Sequence, residues 1–110
     1  MLSVVYTTAP RKNALELARA LVERKLAGCV NVNVYDIDIS SVYWWGDKVE
    51  EDEKSGLLIK TTPELVEDVV KVLKELHLYE IPVILCWDVE AKMDYEKLLR
   101  GVVVNGEERD

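Results

Sequence analysis

The 110 residues predict an α+β sandwich, and three observations carry that expectation. Short β-branched, apolar runs alternate with two stretches whose apolar residues recur every three or four positions. These elements follow one another as strand, helix, strand, strand, helix, strand. The two middle strands meet at Gly46-Asp47, a two-residue hairpin signal. Two right-handed crossovers joined by a hairpin make the ferredoxin-like βαββαβ sandwich, here with a long central hairpin and a short C-terminal helix. No repeat or linker interrupts the chain, so residues 1–110 are read as a single domain.

Each element has its own local reason. Leu2 to Thr8 is apolar and β-branched, which suits a buried strand, and Pro10 ends it. From Lys12 to Lys25, Ala14, Leu17, Ala18 and Leu21 share one face of a helix, and Gly28 is the expected stop signal. Cys29 to Trp45 reads as one long strand. Its apolar phase slips by one between Val34 and Tyr35, as a β-bulge would require. Gly46 then Asp47 fits a type II′ turn, returning through a strand from about Val49 to Thr61. Two caps for the next helix are open: Thr61 with Glu64 as a capping box, or Thr62 with Pro63 at the first helical position. Leu65, Val69, Val72 and Leu76 supply its stripe. Ile81 to Val89 reads as a strand with Pro82 near its start. Asp94 to Arg100 reads as a short helix broken by Gly101, with Val102-Val103-Val104 as a small edge strand.

The hairpin is too long for its domain. Seventeen residues at ~3.3 Å each span roughly 50 Å, against a diameter of roughly 35 Å for a compact domain of this size. It must curl or project. A projecting hairpin exposes Tyr43, Trp44 and Trp45 near its tip, and packing them on a neighbouring subunit removes that patch. These three are therefore the expected oligomer interface.

Composition narrows the function classes. The chain is 49% hydrophobic and 32% charged, a globular balance, with a net charge of −7. That charge argues against nucleic acid and anionic membrane surfaces as partners, and it tolerates cations. No run approaches a membrane span, and the apolar Leu2–Tyr6 has neither a charged lead nor a cleavage site after it. A cytoplasmic protein is the expectation. The absence of Gln beside abundant Glu and Lys leans toward a thermostable protein.

Five segments together resemble the CutA family. They are Val5-Tyr6-Thr7-Thr8-Ala9-Pro10, Leu26-Ala27-Gly28-Cys29-Val30-Asn31, Ser41-Val42-Tyr43-Trp44-Trp45, Val49-Glu50-Glu51-Asp52-Glu53 through Lys60-Thr61, and His77-Leu78-Tyr79-Glu80-Ile81-Pro82. The resemblance covers roughly Val4 to Val89. It implies a homotrimer of ferredoxin-like domains and a link to tolerance of divalent cations such as copper. The chain departs from the family at Gly28, Gly46-Asp47, Leu78, Leu98 and the tail from Gly101.

Candidate site residues follow from chemistry and resemblance together. Cys29, a soft thiolate, suits Cu(I) or a related ion, while the ordinary reading is a small residue at a strand start. His77 is the sole histidine; a trimer would supply three, and a helix C-terminal residue is the plain alternative. Asp88 joins them as a candidate metal ligand. Cys29 and Cys86 fall on opposite sheet edges in the expected order, which argues against a disulfide. The resemblance motivates an inter-subunit cleft of Trp45, Glu53, Lys60, His77 and Tyr79 for a small anionic or zwitterionic ligand. The leading expectation is a non-enzymatic trimer that binds divalent metal, with no obligatory cofactor. The second is a PII-like trimeric sensor binding a small molecule or nucleotide between subunits. No GxSxG, Cys-His signature or paired His ligand favours an enzyme.

Overall fold

A computed structural model describes residues 1–33 and 39–104. Among these residues, five strands and three helices follow one another: β1 (Leu2–Ala9), α1 (Arg11–Glu23), β2 (Cys29–Val32), β3 (Ile39–Trp45), β4 (Lys48–Thr61), α2 (Val66–Leu76), β5 (Leu85–Val89) and α3 (Met93–Val102). The sheet runs β2-β4-β1-β5, antiparallel throughout, and β3 pairs with β4 beyond that path. The fold is the ferredoxin-like sandwich.

Strand alternation builds the core. Val5, Leu57 and Ile59 point to one face, where α1 contributes Ala14, Leu17 and Leu21 and α2 contributes Val69, Val72 and Leu73. Each fully buried Leu, Ile or Val stabilises the fold by ~1.5–3 kcal/mol relative to exposure. The opposite face is not covered by α1 and α2. There Leu85 and Trp87, cross-strand neighbours of Tyr6 and Val4, are 55% and 45% exposed.

β4 divides into two halves. Ser55–Thr61 lies at the centre of the sheet beside β1, whereas Lys48–Lys54 pairs with β3. The second half is a two-stranded ribbon that overhangs the body, and it lengthens the molecule to 45 × 28 × 22 Å. The ribbon turns at Gly46, with φ of +66°, while Asp47 has no positive φ, the pattern of a type II′ turn.

Several expectations needed revision. β2 ends at Val32, opposite Leu57, and β3 begins at Ile39, opposite Lys54. The bulge expected between Val34 and Tyr35 lies outside the described residues. α1 stops before Gly28. The N–H of Leu26 bonds the Leu21 carbonyl and that of Lys25 the Val22 carbonyl, and Lys25 takes φ of +59°. This is a Schellman motif with lysine where glycine is usual. Gly28 serves packing instead: a Cβ there would lie 2.5 Å from Leu99 Cγ.

The second helix takes the Thr62-Pro63 start, through a single 3₁₀ turn at Pro63–Leu65. β5 begins only at Leu85, because Pro82 lacks the N–H a ladder needs and constrains the residue before it. Gly101 does not break α3, which continues through Val102. Val103 and Val104 form no strand, and the Val104 N–H bonds the Lys25 carbonyl. α3 is further held by Arg100, which donates to Glu96 at 2.9 Å and to the Met1 carbonyl at 2.9 Å.

Candidate functional site

A group of polar and aromatic side chains lies where the hairpin ribbon meets the end of α2. His77 caps α2 and is only 8% exposed. Its Nε2 donates to the Thr8 carbonyl at 2.7 Å, and its Nδ1 accepts the Tyr79 backbone N–H at 3.0 Å. A carbonyl can only accept and an amide N–H can only donate, so the ring is the neutral Nε2–H tautomer. Burial holds its pKa below the ordinary imidazole value; the Thr8 bond opposes this and Lys54 adds to it.

From His77 the contacts run outward. The His77 and Tyr79 ring centroids are 5.0 Å apart. Lys54 Nζ stands 5.1 Å from the Tyr79 centroid and 4.4 Å from that of Tyr43. Tyr43 donates its hydroxyl to Asp52 at 3.0 Å, and that bond, the largest cause, raises the phenol's pKa. Burial, then Asp52, raises that of Tyr79. The arrangement is a cation held between two aromatic rings, with a carboxylate orienting one of them.

Asn13 secures the same corner from α1. Its buried side chain donates to the Leu76 carbonyl at 3.4 Å and accepts the Leu78 N–H at 3.2 Å. It therefore satisfies groups freed at the end of α2.

The structure brings together only part of the residue set expected from sequence. His77 and Tyr79 are neighbours. Lys60 is not with them: it stands opposite Val4 and Cys29 near the far end of the sheet. Trp45 lies at the hairpin turn opposite Lys48, and Glu53 lies on the ribbon opposite Ser40. Cys29 opens β2 and is half-buried, while Cys86 is exposed on β5, and both are free thiols. Asp88 accepts a hydrogen bond from Ser3. β2 and β5 are opposite edges of the sheet, so Cys29 and Asp88 do not approach each other within one chain. Among the described residues, no three His, Cys, Asp or Glu side chains gather as a ligand set.

Lys54 was missed, although part of the signal was available. Once Gly46-Asp47 sets the turn, Tyr43 falls on the same ribbon face as Glu50, Asp52 and Lys54. Tyr79 reaches that face through tertiary packing, which no spacing reveals.

Comparison with known proteins places this architecture. The family model described as CutA1 divalent ion tolerance protein matches residues 3–101. The chain belongs to the CutA1 divalent ion tolerance family. It is 36% identical to the divalent-cation tolerance protein CutA of Pyrococcus horikoshii over 98 residues, 87% of this chain and 92% of that protein. It is 35% identical to the Thermotoga maritima protein of the same name over 103 residues, 92% of this chain and 98% of the other. Among solved structures, Pyrococcus horikoshii CutA1 superposes with a TM-score of 0.87 at 33% identity, covering 96% of this chain and 100% of that one. The periplasmic divalent cation tolerance protein CutA of Archaeoglobus fulgidus gives 0.87 at 29% identity, covering 94% and 100%. The CutA1 fold thus extends over α3, where the sequence departs from the family pattern.

Proposed function

We propose that this CutA1 family member is a non-enzymatic homotrimer that supports divalent-cation tolerance by binding metal ions, copper among them, in the cytoplasm. The observation that carries the reading is the uncovered apolar surface. Trp44 and Trp45 on the overhanging ribbon are 72% and 68% exposed, and Leu85 and Trp87 lie open on the sheet. Surface of this kind is stabilised by a partner, and a second and third copy supply it. The number three is taken from family resemblance. The acidic balance, −7 overall, favours cations.

Assembly also bears on the metal. Cys29 and Asp88 stand on opposite sheet edges, and both nitrogens of His77 already have partners. A ligand set built from these residues therefore draws on more than one chain, with Cys29 as the thiolate donor for a soft ion.

The second reading, a PII-like sensor, draws on Tyr79, which lies beside Lys54 at the base of the ribbon where a subunit boundary could form a cleft. Two measurements test these readings: the first tests the assembly they share, the second what the trimer binds. Sedimentation equilibrium at micromolar concentration is expected to give three times the chain mass of 12.6 kDa, and a 12.6 kDa species overturns the assembly. Calorimetric titration with Cu(II), Zn(II) and ATP is expected to show saturable copper binding weakened by Cys29→Ser. Tight ATP binding without any metal response would favour the sensor.

A further inference from the structure

β4 changes partners at one short junction. Its body half is flanked by β1 and by β2, whose last pair is Val32 opposite Leu57, and its ribbon half pairs with β3 from Ile39 opposite Lys54. Ser55 and Gly56 lie between these two pairs, opposite Ala9 and Thr8 of β1. Ser55 is fully buried, yet among the described residues its hydroxyl has no hydrogen-bond partner. A buried polar group left unpaired weakens the structure around it, and a glycine inside a strand commonly marks a bend. Hinges are a few residues of this kind, set where elements end or exchange partners.

Lys54 stands on the ribbon side of that junction. Its Nζ lies 4.4 Å from the ring centroid of Tyr43 on β3 and 5.1 Å from that of Tyr79, which follows α2. Among the described residues this lysine has no ion-pair partner, and Asp52, two residues away on the same ribbon face, accepts the Tyr43 hydroxyl. An ammonium group between two aromatic faces is attracted by both. We propose that Lys54 is a latch: one cation shared by a ring of the ribbon and a ring of the body fixes the ribbon's angle about Ser55 and Gly56, and so positions Trp44 and Trp45. The latch is a property of a single chain. Its consequence, that the two indole rings reach a neighbouring copy, rests on the assembly proposed above. Lys54 is in that sense a positioning residue for assembly.

Hydrogen–deuterium exchange of the full chain, read by mass spectrometry, tests the latch, and sedimentation of the same samples gives the mass. Opening of the ribbon exposes its amides to exchange. In Lys54→Met, residues 39–54 should exchange about fivefold faster than in the wild type, while residues 11–23 keep their rate. Tyr79→Leu should have the same effect. Lys54→Arg keeps a cation for both rings and should restore the wild-type rate. The latch is overturned if Lys54→Met or Tyr79→Leu leaves the ribbon rate unchanged, or if Lys54→Arg exchanges as fast as Lys54→Met. It is also overturned if the ribbon and α1 speed up alike, which marks a general loss of stability. A wild-type mass of 12.6 kDa refutes the assembly alone, because the exchange comparison decides the latch in a single chain as well.

Discussion

Gly28 and Leu99 illustrate how one residue's absence of a side chain fixes another's place. Leu99 is buried against the Gly28 backbone, and a Cβ at 28 would intrude to 2.5 Å of its branch point. Gly28→Ala should therefore destabilise the fold by ~1–3 kcal/mol, the usual cost of overpacking. Leu99→Ala alone should cost ~2–5 kcal/mol as a cavity forms. In the double variant the new methyl enters the space that Leu99 vacates, so the two costs should fall short of additivity by ~1 kcal/mol or more. Urea unfolding of all four proteins measures that cycle, and simple additivity would refute the contact. The sequence showed Gly28 but assigned it to the helix end. That error is understandable physically, because glycine after an amphipathic stretch usually is the C′ residue. Here Lys25 accepts the left-handed conformation, and no local pattern distinguishes a glycine needed for φ from one needed for close approach.

At the scale of elements, His77 joins several of them. It links the end of β1 through Thr8 to the segment after α2 through Tyr79, whose ring flanks Lys54 on the ribbon. Protonating Nδ1 would replace an acceptor with a second donor facing the Tyr79 N–H. The folded pKa is depressed, so the unfolded chain takes up a proton first as pH falls. Stability supplied by neutral His77 is thus complete above the unfolded value near 6.5 and is lost as pH falls through the folded value. Between about pH 7 and 5 the wild type should lose unfolding free energy more steeply than His77→Gln, which has no group titrating there. Equal slopes in chemical denaturation at the two pH values would refute the linkage. His77 and Tyr79 were grouped on the strength of the family resemblance, and within one chain they are neighbours. Lys60 was placed with them because resemblance, not register, motivated the grouping. Within one chain the lysine beside Tyr79 is Lys54, on the ribbon face that also carries Tyr43 and Asp52.

For the molecule as a whole, element order was legible because the continuous β-branched run of Leu2–Ala9 differs plainly from the three-to-four spacing of Arg11–Glu23. The overhang was legible from length alone, and it leads to the final expectation. Half of β4 lies outside the sheet body, and Trp44 and Trp45 near the ribbon's end contribute nothing to the buried core. Replacing both, Trp44→Ser with Trp45→Ser, should change the intrinsic stability of one chain by no more than ~0.5 kcal/mol, as for other exposed positions. If these rings are covered by neighbouring copies, the same substitution should shift the sedimenting species toward 12.6 kDa. A variant that keeps the wild-type mass would mean that the hairpin tip is not part of the interface, leaving the open face around Leu85 and Trp87 as the surface that brings the chains together.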